Sequence, residues 1–383
     1  MILLFLDWEK AFDRIKHDRL WIALQRLGIH EHFIDVLQDG YRKASFFVED
    51  EYGASQTKKQ RAGIRQGCPL SPYLFVLLMS IVDEDVKCRL QNPRNFRTPS
   101  SSLPIHRVYY ADDTILIATS TRAANKQLAE VERVSLQFGL KLNRGKCNYI
   151  SMNGNNVIKF PDGQKMERVE ETTYLGHQIT QQMDVKHEIN HKMSQTLRTW
   201  FKLETFWKAV DCTTKWKLQV YDAVIRNKLL YGLETVHLTQ SLQRKVNAFQ
   251  LRGLRKILGL TTTYVNRQNT NEFVVRKANE ELGHQPGTPL KIKLFSDLLI
   301  DRRIRLAGHI LRSNDNDPLR RVSYEPNSAV TFDVGKRRVG GPRQQWTQYS
   351  NKYAWENALG KGRYENTAQQ NQELLNCARS RQF

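Results

Sequence analysis

The chain has 383 residues, enough for two or three domains with real cores, and its 40% hydrophobic content is that of an ordinary folded protein. Lys and Arg number 59 against 39 acids, a net charge of +20, which points to a polyanionic partner, most simply nucleic acid, with a membrane surface as the lesser option. No apolar run is long enough to span a membrane, and the five cysteines (Cys68, Cys88, Cys147, Cys212, Cys377) are scattered, so neither a zinc site nor a disulfide framework is suggested and a reducing compartment fits.

In chain order, Ile2 to Leu6 is a continuous apolar run, the pattern of a central strand covered on both faces, and it delivers Asp7 to the strand's end. It is too short, and has the wrong flanks, for a signal peptide. Asp18 is placed to cap a helix bearing Leu20, Ala23, Leu24 and Leu27, stopped by Gly28. A short helix follows over about 30–39, then two strands over 44–49 and 57–62 around Tyr52-Gly53. The Gly- and Pro-punctuated stretch from Ala62 to Pro72 leads into an apolar helix over about 73–86. In it, Gly67 permits close backbone approach to a ligand and Gln66 offers both a donor and an acceptor, although a plain strand-to-helix connection accounts for it equally well. A polar linker covers about 91–104.

Val108 to Ile117 is apolar, doubly acidic at Asp112-Asp113, then apolar and β-branched again, which reads as a hairpin. At a tight turn both carboxylates can converge, and a divalent cation held together with substrate phosphates relieves their repulsion. Taken alone, the tetrapeptide also fits an acidic hairpin tip in water. A helix over 122–138 ends at Gly139, and strand-like pieces follow at 147–152, 157–160 and 165–170. From 184 the period becomes helical, with helices near 184–207, 213–229 and 240–257, Asp211 and Thr239 as caps and Gly259 as a stop. Between 184 and 260 stand 14 Lys/Arg and 6 Asp/Glu. The interleaved aromatics (Trp200, Phe201, Phe206, Trp207, Trp216, Tyr221) read as core and the cations as a phosphate-tracking surface. Residues 290–312 form a further basic helical stretch with Arg302, Arg303 and Arg305. The tail beyond 320 is polar, with Lys336-Arg337-Arg338, and reads as a nucleic-acid contact, a nuclear address or a solvated segment.

Four signals therefore arrive in one order: Asp7 after an apolar strand, Arg65-Gln66-Gly67 before a helix, Tyr110-Ala111-Asp112-Asp113, and Gly139 to Asn143 followed by Lys146. Metal-assisted nucleotidyl transfer needs such a set, three carboxylates bracketing two ions. The chain resembles a reverse transcriptase of the LINE-type, non-LTR retrotransposon group. Leu6 to Asp13 resembles that family's motif A, Gly63 to Pro72 its motif B, Tyr110 to Asp113 its motif C, Leu142 to Cys147 its motif D, and Tyr174-Leu175-Gly176 its primer grip. Arg305 to His309 and Gly341-Pro342-Arg343 resemble its C-terminal segments.

The resemblance implies an α+β fold: a right-hand polymerase palm over 1–180, an antiparallel sheet with helices packed on one face. A helical thumb over 181–262, a basic helical region over 263–320 and a polar basic tail over 321–383 would follow. It implies that Asp7, Asp112 and Asp113 bind two Mg²⁺ (Mn²⁺ as substitute), with the Trp8 carbonyl as a further ligand. Phe12 would be the steric gate against a ribose 2′-hydroxyl, and Arg65, Gln66 and Gly67 would shape the dNTP and template pocket. Lys146 would protonate the leaving pyrophosphate. The partners implied are an RNA template, a DNA primer and dNTPs, in a nuclear or cytoplasmic ribonucleoprotein, neither secreted nor membrane-bound. For Phe12 and Lys146, ordinary packing and a surface lysine are the plain alternatives. The family's fingers region precedes motif A, whereas this chain opens on motif A, as expected of a truncated or domesticated copy or a gene lacking upstream exons. A catalytically inactive RNA/DNA-binding remnant is the alternative function. A different right-hand polymerase is disfavoured by Phe12, and a metal nuclease by the lack of a suitably spaced His.

Overall fold

The computed structural model describes residues 1–91, 105–152, 154–283, 291–331 and 346–383. Two units divide the chain, Met1–Gln182 and Met183–Phe383.

In the first unit, β1 (Ile2–Leu6) is buried at all five positions. It is flanked on one side by β7 (Asp113–Ala118), in register from Ile2↔Ala118 to Leu6↔Thr114. On the other side lies β8 (Asn148–Ser151), from Ile2↔Ser151 to Phe5↔Asn148. With β6 (Arg107–Tyr110) and β9 (Glu167–Arg168) the sheet order is β6-β7-β1-β8-β9. Alternation along β1 sends Ile2, Leu4 and Leu6 to one core and Leu3 and Phe5 to another.

The first core is roofed by α2 (His17–Arg26), α3 (Glu31–Arg42), α4 (Ser71–Gln91) and α5 (Thr121–Gln137), which contribute Leu20, Leu24, Ile34, Leu78, Val82, Leu128 and Val131. The second is covered by a hairpin of β10 (Glu171–Tyr174) and β11 (His177–Thr180), through Tyr174 and Ile179. Helices thus lie on one face, as expected. The sheet is antiparallel from β6 to β8 but not at its edge, where β9 runs parallel to β8. The cause is an extra reversal, closed by a bridge between Lys159 and Lys165, which returns the chain in the direction of β8.

The expected strands over 44–49 and 57–62 are broken into two-residue pieces, β2 (Ser45–Phe46) with β5 (Lys58–Lys59) and β3 (Glu49–Asp50) with β4 (Gly53–Ala54). α2 starts at His17, so Asp18 lies in its first turn and does not cap it. Most of the expected linker, 92–104, lies outside the described residues.

The second unit is helical. α6 (Val185–Lys202) and α7 (Glu204–Lys208) are followed by α8 (Thr214–Val220), a π-turn over Tyr221–Arg226, and α9 (Asn227–Leu230). α10 (Gln240–Leu258) is capped by the Thr239 hydroxyl and ends at Gly259. The cap of α8 is Thr213, whose Oγ accepts from Trp216 N at 3.2 Å, rather than Asp211. α11 (Asn271–Glu281) and α12 (Phe295–Arg312) complete a core that runs from Ile189 to Leu299 without a break at 262.

The distal half of α12 belongs to another core, with Tyr324, Ala329, Trp355, Leu374 and Leu375. The stretch after α13 (Pro318–Ser323), α14 (Trp346–Tyr353), the π-turn over Ala354–Ala358 and α15 (Ala368–Arg379) build it. The described part of 321–383 is therefore folded and is not a solvated tail: enough Trp, Tyr and Leu recur at helical spacing to seal the end of α12. The chain end is docked as well, Arg312 Nη1 donating to Phe383 O at 3.0 Å. Lys336-Arg337-Arg338 and Gly341-Pro342-Arg343 lie outside the described residues. Arg303, within the expected basic helical stretch, is 1% exposed and donates to Val236 O at 2.6 Å, because its position on α12 faces the core.

Truncation of a fully buried side chain in the central strand tests this arrangement. Leu4→Ala should destabilise the first unit by about 2–5 kcal/mol, read as a fall in the urea midpoint. A loss below about 1 kcal/mol, the scale of a conservative core change, would contradict the two-sided burial of β1.

Candidate active site

β6 and β7 are joined by a two-residue loop, Ala111-Asp112, with Tyr110 paired to Asp113. Ala111 adopts a left-handed φ of 51°, an uncommon conformation for a residue with a Cβ and one that tight hairpins demand. Extending the β1–β7 register by one position sets Asp7 opposite Asp113. Directly opposed residues in an antiparallel pair carry their side chains on the same face, about 5 Å apart at Cβ. The two carboxylates that lie farthest apart in sequence thus meet at the end of the central strands, with Asp112 at the adjoining tip.

The electrostatics agree. Asp113 holds its proton above the ordinary carboxylate range, through partial burial first and then through the charges of Asp112 and Asp7. Tyr174, at the tip of the β10–β11 hairpin, is pushed up to about 12 by burial and by the charge of Asp113. Its ring packs against Phe5 at 5.9 Å. Leu175 and Gly176 form the turn beside it, both with left-handed φ.

Asp7 is held by its backbone. Its N–H points at Cys147 Sγ (3.4 Å), and its carbonyl accepts from Asn143 N (2.8 Å). Glu9 N donates to Lys141 O (2.8 Å), and Trp8 bridges Leu142. In such a ladder the flanking residues make the hydrogen bonds, so the Trp8 carbonyl points away from 141–143. The Trp8 indole N–H donates to Thr114 Oγ1 at 3.1 Å, which ties the segment after β1 to β7.

The next turn, α1 (Ala11–Arg14), is stitched to the stretch after β5. Ile64 N donates to Phe12 O and Gly63 N to Ile15 O, both at 2.8 Å. Gly63 is obligatory here, since a Cβ would lie 2.7 Å from Asp13 O and φ is +83°. Gln66 Nε2 donates to Asp13 Oδ1 at 3.2 Å. Phe12 stacks on Phe75 of α4, centroids 4.8 Å apart and planes within 10°. Gly67 has open space on its Cβ side.

Arg65 turns elsewhere, donating to Gly40 O at 2.8 Å and lying over the Tyr41 ring. Lys146 is exposed, and its backbone N–H donates to Asn143 O. Asp7, Asp112, Asp113 and Tyr174 are thus brought together, Phe12 and Gln66 are linked through the α1 turn, and Arg65 is occupied by its own neighbours. Cys147, Asn143 and Thr114 support the site without having been singled out for it; all three lie within the quoted segments, and only pairing across the sheet reveals their work.

Among the described residues, no three His, Cys, Asp or Glu side chains form a closed metal cage. The Asp set suits a divalent cation in another way. Its oxygens are hard, Asp112 and Asp113 present exposed surface, and partial burial followed by the charges of Asp112 and Asp7 already raises the proton affinity of Asp113. Mg²⁺ is typically held by one or two carboxylates with substrate phosphates completing its shell.

Residues 1–179 match the protein family described as reverse transcriptase (RNA-dependent DNA polymerase). The chain is 27% identical over 334 residues to a retrovirus-related Pol polyprotein from type-1 retrotransposable element R2 of Popillia japonica, covering 80% of this chain and 45% of that protein. It is 23% identical over 298 residues to the RNA-directed DNA polymerase from mobile element jockey of Drosophila melanogaster, covering 73% and 30%. The chain thus spans less than half the length of either relative. Among solved structures, telomerase from Candida albicans, in complex with a fragment of telomeric RNA, aligns over 80% of this chain and 47% of that one, at 13% identity and a TM-score of 0.37. Over residues 1–179 the chain is thus similar to reverse transcriptases, and the relatives it resembles support a likeness to the LINE-type, non-LTR group.

Proposed function

We propose that this chain is an RNA-directed DNA polymerase that transfers a nucleotidyl group from a dNTP to a primer 3′-hydroxyl on an RNA template. The observation that carries the reading is the register that sets Asp7 opposite Asp113, with Asp112 at the adjoining turn. Asp7, Asp112 and Asp113 would hold two Mg²⁺. Bound divalent ions supply activation of the primer hydroxyl and neutralisation of charge on the leaving pyrophosphate.

The protein's own residues do the rest. The ladder from Asp7 to Glu9 holds the first carboxylate still against the 141–143 segment. Phe12, braced flat against Phe75, presents its ring as the barrier to a ribose 2′-hydroxyl. Gln66 and Gly67 line the nucleotide pocket, with Gln66 set by Asp13 and Gly67 leaving room for a base pair. Arg65, bonded to Gly40 O, acts by fixing this loop. Lys146 donates a proton to the pyrophosphate as it leaves. Tyr174, Leu175 and Gly176 position the primer end beside Asp113, and the helices of the second unit grip the hybrid duplex as a thumb. The setting is a nuclear or cytoplasmic ribonucleoprotein.

Primer extension on an RNA template is the test. Asp112→Asn should cut extension by about 10²-fold or more, the usual scale for removing one charge-stabilising group, while hybrid binding persists. Chelation with EDTA should abolish extension and added Mg²⁺ restore it. Wild-type binding without any extension would mark the chain as an inactive binding remnant.

Phe12→Val should raise rNTP incorporation relative to dNTP by roughly tenfold or more, the range of steric discrimination in a pocket. An unchanged ratio, measured by single-nucleotide insertion, would reduce Phe12 to a packing partner of Phe75.

A further inference from the structure

Arg244, Ala248, Arg252 and Lys256 recur every four residues along α10 and form one ridge. On one flank of this ridge lies a cleft of about 590 Å³. Arg244, Arg252, Arg255 and Lys256 all line it, and no carboxylate does. None of the four is ion-paired among the described residues. Arg255 donates to Asn269 O and Asn271 Oδ1 through Nη2, which leaves its buried Nε without a partner. Like charges at i and i+4, such as Arg252 and Lys256, repel one another. A cleft built this way is matched by phosphate.

On the other flank lies a recess of about 230 Å³, walled by Met193, Leu197, Trp200, Tyr221 and Phe249. Trp200 is braced by Trp207, stacked at 4.5 Å, and meets Tyr221 edge-on at 6.0 Å. Lys256 Nζ stands 5.9 Å from the centre of the Trp200 ring. Gly253 sits at the wall because the Tyr221 ring comes within 2.7 Å of where a Cβ would be. Arg252 and Lys256 line both hollows, so the cationic cleft and the aromatic recess share one wall.

From this juxtaposition we infer that the α10 ridge is a nucleotide-binding site, with a phosphate in the Arg/Lys cleft and the base in the recess beside Trp200, Tyr221 and Phe249. The ligand class follows from the two halves together. Phosphate alone needs no aromatic recess, and an apolar ligand needs no set of unpaired cations. Aromatic side chains beside a cationic groove bind single-stranded nucleic acid with little regard to sequence, because every base has a stacking face. The inference deepens the polymerase reading by giving the second unit a site for an unpaired nucleotide, which differs from gripping a duplex backbone. A nucleotide within a strand and a free mononucleotide share this chemistry.

Fluorescence anisotropy on the full chain tests it, using a short labelled oligoribonucleotide and an abasic strand of equal length. The base-bearing strand should bind about tenfold or more tightly than the abasic one, the scale of one stacked base. The double variant Arg252→Ala with Lys256→Ala should weaken both strands and reduce the salt dependence. Phe249→Ala should weaken the base-bearing strand alone. Ser194→Trp, on the exposed rim, should do the same by filling the recess without disturbing the core.

Competition by adenosine monophosphate as effective as by the strand supports the site with free nucleotides as its ligand; competition by strands alone supports it with nucleic acid. Equal affinity of wild type for the two strands overturns the inference, as does unchanged binding of the base-bearing strand by Ser194→Trp. The readout is binding, so a chain that behaves as expected here but extends no primer keeps this site and loses the polymerase reading. A chain that extends primers without base-dependent binding does the reverse.

Discussion

Like charges at the ends of two paired strands are the constraint on which the first unit turns. Asp7 and Asp113 sit opposite one another because β1 and β7 pair from Ile2↔Ala118 to Leu6↔Thr114. A slip of one residue would send every side chain of β1 to the other face. Ile2, Leu4 and Leu6 would then leave the helical side of the sheet for the hairpin side, and Asp7 would leave Asp113. Register is therefore enforced by burial on both faces, each fully buried Leu or Ile contributing about 1.5–3 kcal/mol. That hydrophobic stabilisation offsets the cost of holding Asp113 partly buried and beside Asp112 and Asp7, which together raise its proton affinity.

The surroundings of the carboxylates are held by backbone more than by side chains. The residues after Asp7 ladder onto 141–143, and those from Phe12 to Lys16 bond to Ala62, Gly63, Ile64 and Phe138. Three stretches far apart in the chain are thereby locked around the α1 turn. Side chains here can vary more freely than the chain path, except at Gly63 and Gly139, where any Cβ would collide with the backbone of Asp13 and Arg14. The β10–β11 hairpin plays a matching part beneath the sheet. It covers Phe5 and Ile115 and in doing so brings the Tyr174 ring under the influence of Asp113.

In the second unit the fold sorts cations that look alike in the sequence. Arg303 is buried beside Tyr353 and the Val236 carbonyl, and burial lowers its proton affinity. Arg226 pairs with Asp222 at 2.6 Å within the π-turn. The cations of the α10 ridge face a cleft without carboxylates. α12 gives its first half to one core and its second to another, which joins the helices from α6 to α15 in one contact-rich unit and leaves no structural seam near residue 262 or 320.

The sequence by itself determined the features whose cause is local. The five-residue apolar run before Asp7, the acidic break at Asp112-Asp113, the change to helical period at 184, and the Thr239 and Gly259 ends of α10 all follow from patterns a few residues long. The order of the four motifs added the family. The tertiary structure alone decided what depends on residues distant in sequence. It set the parallel pairing of β9, the thiol of Cys147 behind Asp7, the choice of Thr213 over Asp211 as a cap, the burial of Arg303 and the folding of the described residues beyond 320. The reason is physical. Periodicity and turn chemistry act through neighbouring dihedral angles and are written along the chain. Whether a cation loses its water, or a carboxylate meets another, is settled only when strands and helices remote in sequence close over it.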